Sequence, residues 1–192
     1  MNALRVCLLL FAGMFLSVNP IPAAANFGFS LQPSVTDIRV GDAFDLDLVL
    51  HDAFSLAADD ELLAFGLNAQ ILDGAGLILL GSSVNPLFFD DTGLLDLDAA
   101  GSAFPGIAIS DDFPGDFTLA SLHFQALQAG AVTVEILSNL STGFEGVYFM
   151  ANAPVAIEVR QQVSVSNLPL PTAAWLFLFG LVSLLSGMRK RL

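Results

Sequence analysis

Between residues 26 and 166, apolar and polar residues alternate with a period of two, in short runs closed by Gly, Asp, Asn or Pro. Phe44, Leu46, Leu48 and Leu50 alternate with Asp45, Asp47, Val49 and His51, after the turn pair Gly41-Asp42. Phe65, Leu67, Ala69 and Ile71 alternate with Gly66, Asn68 and Gln70. The same phase recurs in Ala120, Leu122, Phe124 and Ala126, in Val132, Val134 and Ile136, and in Val155, Ile157 and Val159. Side chains on a strand point alternately to its two faces, so each run predicts a strand with one buried and one wet face. That is the habit of antiparallel sheets. Several such strands in one domain predict an all-β, two-sheet antiparallel jelly-roll sandwich. Residues 56–63 predict a brief helical turn. Residues 88–116 read as a loop-rich insertion with short strands at 94–98 and 107–110.

The two ends follow a different pattern. Residues 6–18 are apolar behind the single charge of Arg5, and Pro20 and Pro22 then lead into Ala23-Ala24-Ala25. This is the charged, apolar and small-residue order of a secretory signal, with Ala23 and Ala25 in the cleavage pattern, so residues 1–25 are expected to be removed. Residues 167–192 carry Leu168-Pro169-Leu170-Pro171, an uncharged stretch over 173–188 with Trp175 near its start, and then Arg189-Lys190-Arg191. As a helix the stretch is about 24 Å long, close to a bilayer's hydrocarbon thickness. A terminal basic cluster favours a cytoplasmic end, and a tryptophan favours the opposite interface. Residues 26–166 are then the exported domain, and residues 167–192 a membrane-directed tail.

Charge sharpens this division. The chain has 6 basic and 19 acidic residues, a net charge of −13. Every acid lies within 26–166, where Arg39 and Arg160 are the sole basic residues. A surface of that sign repels phosphate backbones and excludes nucleic acid as a partner. Cys7, the one cysteine, sits inside the N-terminal apolar run, so the exported domain has neither disulfide nor thiolate.

The tail resembles the PEP-CTERM family of sorting signals. The residues that carry the resemblance are Leu168, Pro169, Leu170, Pro171, Trp175 and the basic Arg189, Lys190 and Arg191. It differs from the family's namesake in having no glutamate between the prolines. The resemblance implies recognition by an exosortase-type membrane peptidase in a Gram-negative bacterium, often one that makes exopolysaccharide. A permanent single-span anchor is the alternative. The domain itself resembles cohesin-type modules, which are jelly-roll sandwiches. The resemblance runs through Val40-Gly41-Asp42-Ala43-Phe44, Leu63-Ala64-Phe65-Gly66-Leu67, and Leu119-Ala120-Ser121-Leu122-His123-Phe124-Gln125-Ala126 with Ala129-Gly130. It implies the fold, while function need not follow it.

Few residues offer chemistry. His51 and His123, the only histidines, fall on the polar phase of their strands, with no H-x-H or H-E-x-x-H spacing. Ser82-Ser83 follows Gly81 without a G-x-S-x-G elbow. The acidic loops are the candidate metal ligands: Asp90, Asp91, Asp96, Asp98, Asp111, Asp112 and Asp116, which offer the oxygen donors calcium prefers. They lack the spacing of an EF-hand loop. With Tyr148 as the only aromatic of the domain besides phenylalanine, the platforms of sugar-stacking sites are missing. The expected function is that of a non-enzymatic cell-surface or matrix protein with no resident cofactor. Its expected partners are the membrane, the sorting peptidase, and exopolysaccharide or another surface protein. A calcium-dependent adhesion or carbohydrate-binding module and a secreted hydrolase are the alternatives.

Overall fold

The structure, a computed structural model, describes residues 27–55, 59–72, 76–108 and 116–167. Both terminal segments lie outside them, and with them Ala23, Ala25, the Pro motif, Trp175 and the basic cluster. Among the described residues no helix is long and apolar enough to cross a membrane.

The chain is predominantly β. Its strands are β1 (Gly28–Pro33), β2 (Ile38–Arg39), β3 (Ala43–His51), β4 (Glu61–Leu67), β5 (Ala69–Leu72) and β6 (Leu77–Val84). They continue with β7 (Phe89–Asp90), β8 (Ala99–Ala108), β9 (Phe117–Ala126), β10 (Gly130–Leu137), β11 (Gly146–Phe149) and β12 (Glu158–Ser166). One turn of helix, α1 (Thr92–Leu95), precedes β8. These strands form three open four-stranded sheets with orders β1-β3-β9-β6, β2-β12-β10-β5 and β11-β4-β8-β7. All pairs are antiparallel except β2 with β12, where Ile38 faces Val165 in parallel.

Alternation fixes the register. Along β3, Leu46, Leu48 and Leu50 are fully buried between half-buried Asp45, Asp47, Val49 and His51. Leu46 lies opposite Leu122 and Phe44 opposite Phe124, whose rings stack at 5.8 Å. The inner residues of the other two sheets, among them Val134, Ile136, Phe65 and Leu67, join the same apolar core. Each such buried side chain contributes about 1.5–3 kcal/mol.

Several expectations are corrected. The alternating run over 65–71 is continuous in sequence but divided in space, because at Asn68 the chain leaves β8 and β11 and joins β10. Asp98 clasps this break: its carboxylate accepts the Ala69 N–H at 2.8 Å, and its own N–H reaches Asn68 Oδ1 at 3.2 Å. Three hydrogen-bonded sheets replace the expected two for this reason. Residues 94–98, expected as a strand, instead contain the end of α1 and Asp96 in the left-handed conformation at φ 57°. The supposed loop insertion holds the ten-residue β8, whose Ala- and Gly-rich start carries little β propensity. The helical turn expected over 56–63 gives way to β4 from Glu61 onward, and residues 56–58 lie outside the described chain.

Asp60 anchors the start of β4. This buried carboxylate accepts the N–H groups of Glu61 (2.8 Å), Ala151 (2.8 Å) and Asn152 (3.1 Å), and the Asn152 side-chain amide (2.6 Å). Burial alone would raise its pKa, but the donors together outweigh burial and hold it below the usual aspartate value. Asp60→Ala is expected to cost about 2–4 kcal/mol, since it orphans buried donors. A depressed folded pKa means stability that is present above the unfolded value and lost as pH falls through the folded one. The melting temperature should therefore drop on acidification below pH about 4, and Asp60→Asn should flatten that limb in a pH series of thermal melts.

Candidate functional site

The outer face of the β11-β4-β8-β7 sheet is where the protein departs from ordinary surface chemistry. Cross-strand register sets Tyr148, Ala64, Ser102 and Phe89 in one row over its four strands. Two residues along β8, Phe104 stands 91% exposed; Phe89 is 66% exposed and Leu94, on α1, 82%. Between the sheet and the loop ending in Phe144 lies a cleft of about 410 Å³, lined by Leu63, Ala64, Leu95, Phe144 and Tyr148, with Asp91 and Ser102 on its wall. Single exposed apolar residues are normal, but several phenylalanines and leucines gathered on one sheet face mark an interaction surface.

Local sequence builds this face. Gly66 lets the 139–145 loop lie directly on β4: a Cβ there would meet the Phe144 carbonyl oxygen at 2.1 Å. Asn139 caps the short 3₁₀ turn Leu140–Thr142 by accepting the Ser141 N–H, and Glu145 accepts the Asn139 N–H at 2.9 Å. The Tyr148 hydroxyl donates to the Glu145 carbonyl at 3.1 Å, and burial first, Glu145 second, raises its pKa. Inside the cleft the Ser102 hydroxyl donates to Asp91 at 2.5 Å. The arrangement offers apolar contact with an acidic rim, and its polar groups are already engaged with each other.

The proposed metal ligands are spread over separate structural tasks. Asp90 accepts the Thr92 N–H at 3.0 Å; this residue's side-chain and backbone contacts lower its pKa. Asp91 holds Ser102, Asp96 ends α1, and Asp98 clasps the strand break. Asp116 lies against His51, while Asp111 and Asp112 lie outside the described residues. Among the described residues, no three His, Cys, Asp or Glu come together as a metal-holding group.

The wet face of the β1-β3-β9-β6 sheet pairs each histidine with a carboxylate. His123 Nδ1 sits 2.7 Å from Asp45, its cross-strand neighbour, and His51 Nδ1 3.2 Å from Asp116. The phase of the alternation placed both histidines on this face, but their partners depend on register. Ser82 donates to the Asp98 carbonyl, and Ser83 lines a shallow polar groove with Asp47 and Ser121.

No protein-family profile matches the chain, and no curated protein does. The similar solved structures are cohesin domains. One is a type I cohesin–dockerin complex containing Coh-OlpC from Clostridium thermocellum: 11% identity over 75% of this chain and 97% of that one, TM-score 0.44. A type II cohesin domain from the cellulosome of Acetivibrio cellulolyticus gives 11% identity, 73% and 95% coverage, and TM-score 0.42. CaCohA2 from Clostridium acetobutylicum gives 13%, 77% and 95%, and 0.44. At these values the sheet topology, not the likeness, carries the reading of the fold.

The exposed aromatics were not legible in advance, because the segment bearing Phe89 and Phe104 carries none of the alternation that announces the other strands. Phe104→Ser is expected to change stability by less than about 0.5 kcal/mol, whereas Phe124→Ala in the core should cost about 3–5 kcal/mol. Denaturant melts of the two variants check the contrast.

Proposed function

We propose that this chain is an exported, non-enzymatic surface module, a cohesin-like jelly-roll sandwich that binds another protein through the outer face of its β11-β4-β8-β7 sheet. The observation that carries this reading is the row of Phe89, Phe104 and the Leu95–Phe144–Tyr148 cleft on one sheet face. Burial of such aromatics supplies most of the energy in protein interfaces. Asp91 lines the cleft and Asp90 precedes it on β7, so the partner that fits carries an apolar strip with a Lys or Arg at its edge. Sequence alone supports the remainder: a removable leader over 1–25, and a tail over 167–192 that an exosortase-type peptidase would read at the inner membrane before release to the cell surface.

Two measurements test the proposal. Intact mass of the protein recovered from envelope and medium should show a species that starts at Asn26 and ends near 168–172. A species retaining Trp175 through Leu192 would make the tail a permanent anchor. Cross-linking in the producing cells should capture a protein on the native chain that the Phe89→Asp/Phe104→Asp variant captures at least about tenfold less. Equal capture by both would move the interface elsewhere.

A further inference from the structure

The outer face of the β1-β3-β9-β6 sheet holds a hydrogen-bonded series that the binding reading does not use. Ser30 Oγ lies 2.7 Å from His51 Nε2, and His51 Nδ1 lies 3.2 Å from Asp116 Oδ2. The other carboxylate oxygen of Asp116 accepts the Asp52 N–H at 2.6 Å. The Gln32 side-chain amide donates to Ser30 Oγ at 3.2 Å. Two strands and a loop end contribute: β1 gives Ser30 and Gln32, β3 gives His51, and Asp116 ends the loop that leads into β9.

The chemistry follows from the partners. An ionised carboxylate can only accept, so Nδ1 of His51 carries the proton and Nε2 is left as the acceptor for the Ser30 hydroxyl. The Asp52 N–H, and after it His51, hold the Asp116 carboxyl below its usual value, so it is ionised at neutral pH. Asp52 takes a left-handed conformation, φ 48°, directly after β3 ends, the turn at which its N–H reaches Asp116. Nucleophile, base and orienting carboxylate stand in the order required for serine activation, a relation recognised by geometry rather than chain order. Ser30 and His51 are only half-buried, and β1 is the outermost strand of its sheet, so a reagent can approach from the side.

We propose that Ser30 is an activated nucleophile and an acyl-acceptor site for small, unhindered esters. Ser30 Oγ attacks the acyl carbon while its proton passes to His51 Nε2. The new Oγ–C bond forms, the bond from the acyl carbon to the leaving oxygen breaks, and His51 returns the proton to that oxygen. The products are acyl-Ser30 and a free alcohol, with His51 neutral again. Asp116 is a positioning residue that fixes the histidine tautomer. None of the described clefts encloses Ser30, so the site selects short acyl groups by reactivity rather than by shape.

The full-length chain in mild detergent is treated with p-nitrophenyl acetate and, separately, with an aryl fluorophosphonate, and the modified residue is located by peptide mass mapping. The expected result is release of nitrophenolate with an acetyl group on Ser30, and phosphonylation of the same residue. His51→Gln should slow labelling about 100-fold or more. Asp116→Asn should slow it at an unchanged melting temperature, with partial recovery in Asp116→Glu. Label spread evenly over other serines, or a rate that His51→Gln leaves unaltered, would overturn the proposal. The mapping on the unsubstituted chain decides the site even where a variant folds poorly.

Discussion

The pairing of β3 with β9 constrains everything built around it. Because side chains alternate strictly, the register that sets Leu46 against Leu122 and Phe44 against Phe124 also sets Asp45 against His123 and Asp47 against Ser121 on the other side. A slip of one residue would turn Asp45 and Asp47 into the core and expose three leucines. Burying unpaired carboxylates is far more costly than losing a few apolar contacts, so the slipped states are excluded by charge as much as by packing. The acids of β3 therefore specify the register, and the leucines supply the stability. With no cysteine among residues 27–167, this division of labour stands in for a disulfide.

The same constraint produces two faces of opposite character. On the β1-β3-β9-β6 sheet the outward positions of β3 and β9 are mostly polar, and they bond to one another across the strands: Ser121 donates to Asp47 at 2.5 Å, and both histidines meet carboxylates, while edge strand β6 exposes Ile78 and Leu80. On the β11-β4-β8-β7 sheet the outward positions are Tyr148, Ala64, Ser102 and Phe89, with Phe104 beyond. An acidic surface gains nothing from exposing phenylalanines unless another surface covers them. The buried Glu135, held by Arg160 across β10 and β12, shows that outward positions on the third sheet are also satisfied internally. The two most exposed apolar side chains, Phe104 and Leu94, lie on or beside the β11-β4-β8-β7 sheet, while Ile78, Leu80 and Leu137 are exposed on the other two.

How far this could be read from residues alone depends on the kind of signal each segment carries. β3, β9 and β10 were legible because apolar residues alternate there with polar ones, over seven or more positions in β3 and β9 and over five in β10. β8 was not, since Ala99 through Ala103 are small and Phe104-Pro105-Gly106 looks like a turn; its strand state comes from pairing with β4 and β7. The break at Asn68 was invisible because alternation continues through it, and its cause, Asp98, is 30 residues away. The exposed phenylalanines of the β11-β4-β8-β7 sheet, Phe89 and Phe104, shared the fate of β8. For the Ser30–His51–Asp116 series the phase of each residue could be read, but the meeting of positions 21 and 65 residues apart needed the register.

That series and the apolar face differ in what would make each adventitious. Polar ladders on a sheet form readily, because cross-strand neighbours on a wet face have nothing better to bond than one another. Chance therefore accounts easily for Asp47 with Ser121 or Asp45 with His123, which are directly opposed. It accounts less easily for Ser30 and His51, which are diagonal rather than opposed, since His51 pairs with Gly28 and Ser30 with Val49. His51 stands opposite Gly28, which has no side chain, and Asp116 bonds the other ring nitrogen of the imidazole, so Nε2 is the atom that meets the Ser30 hydroxyl.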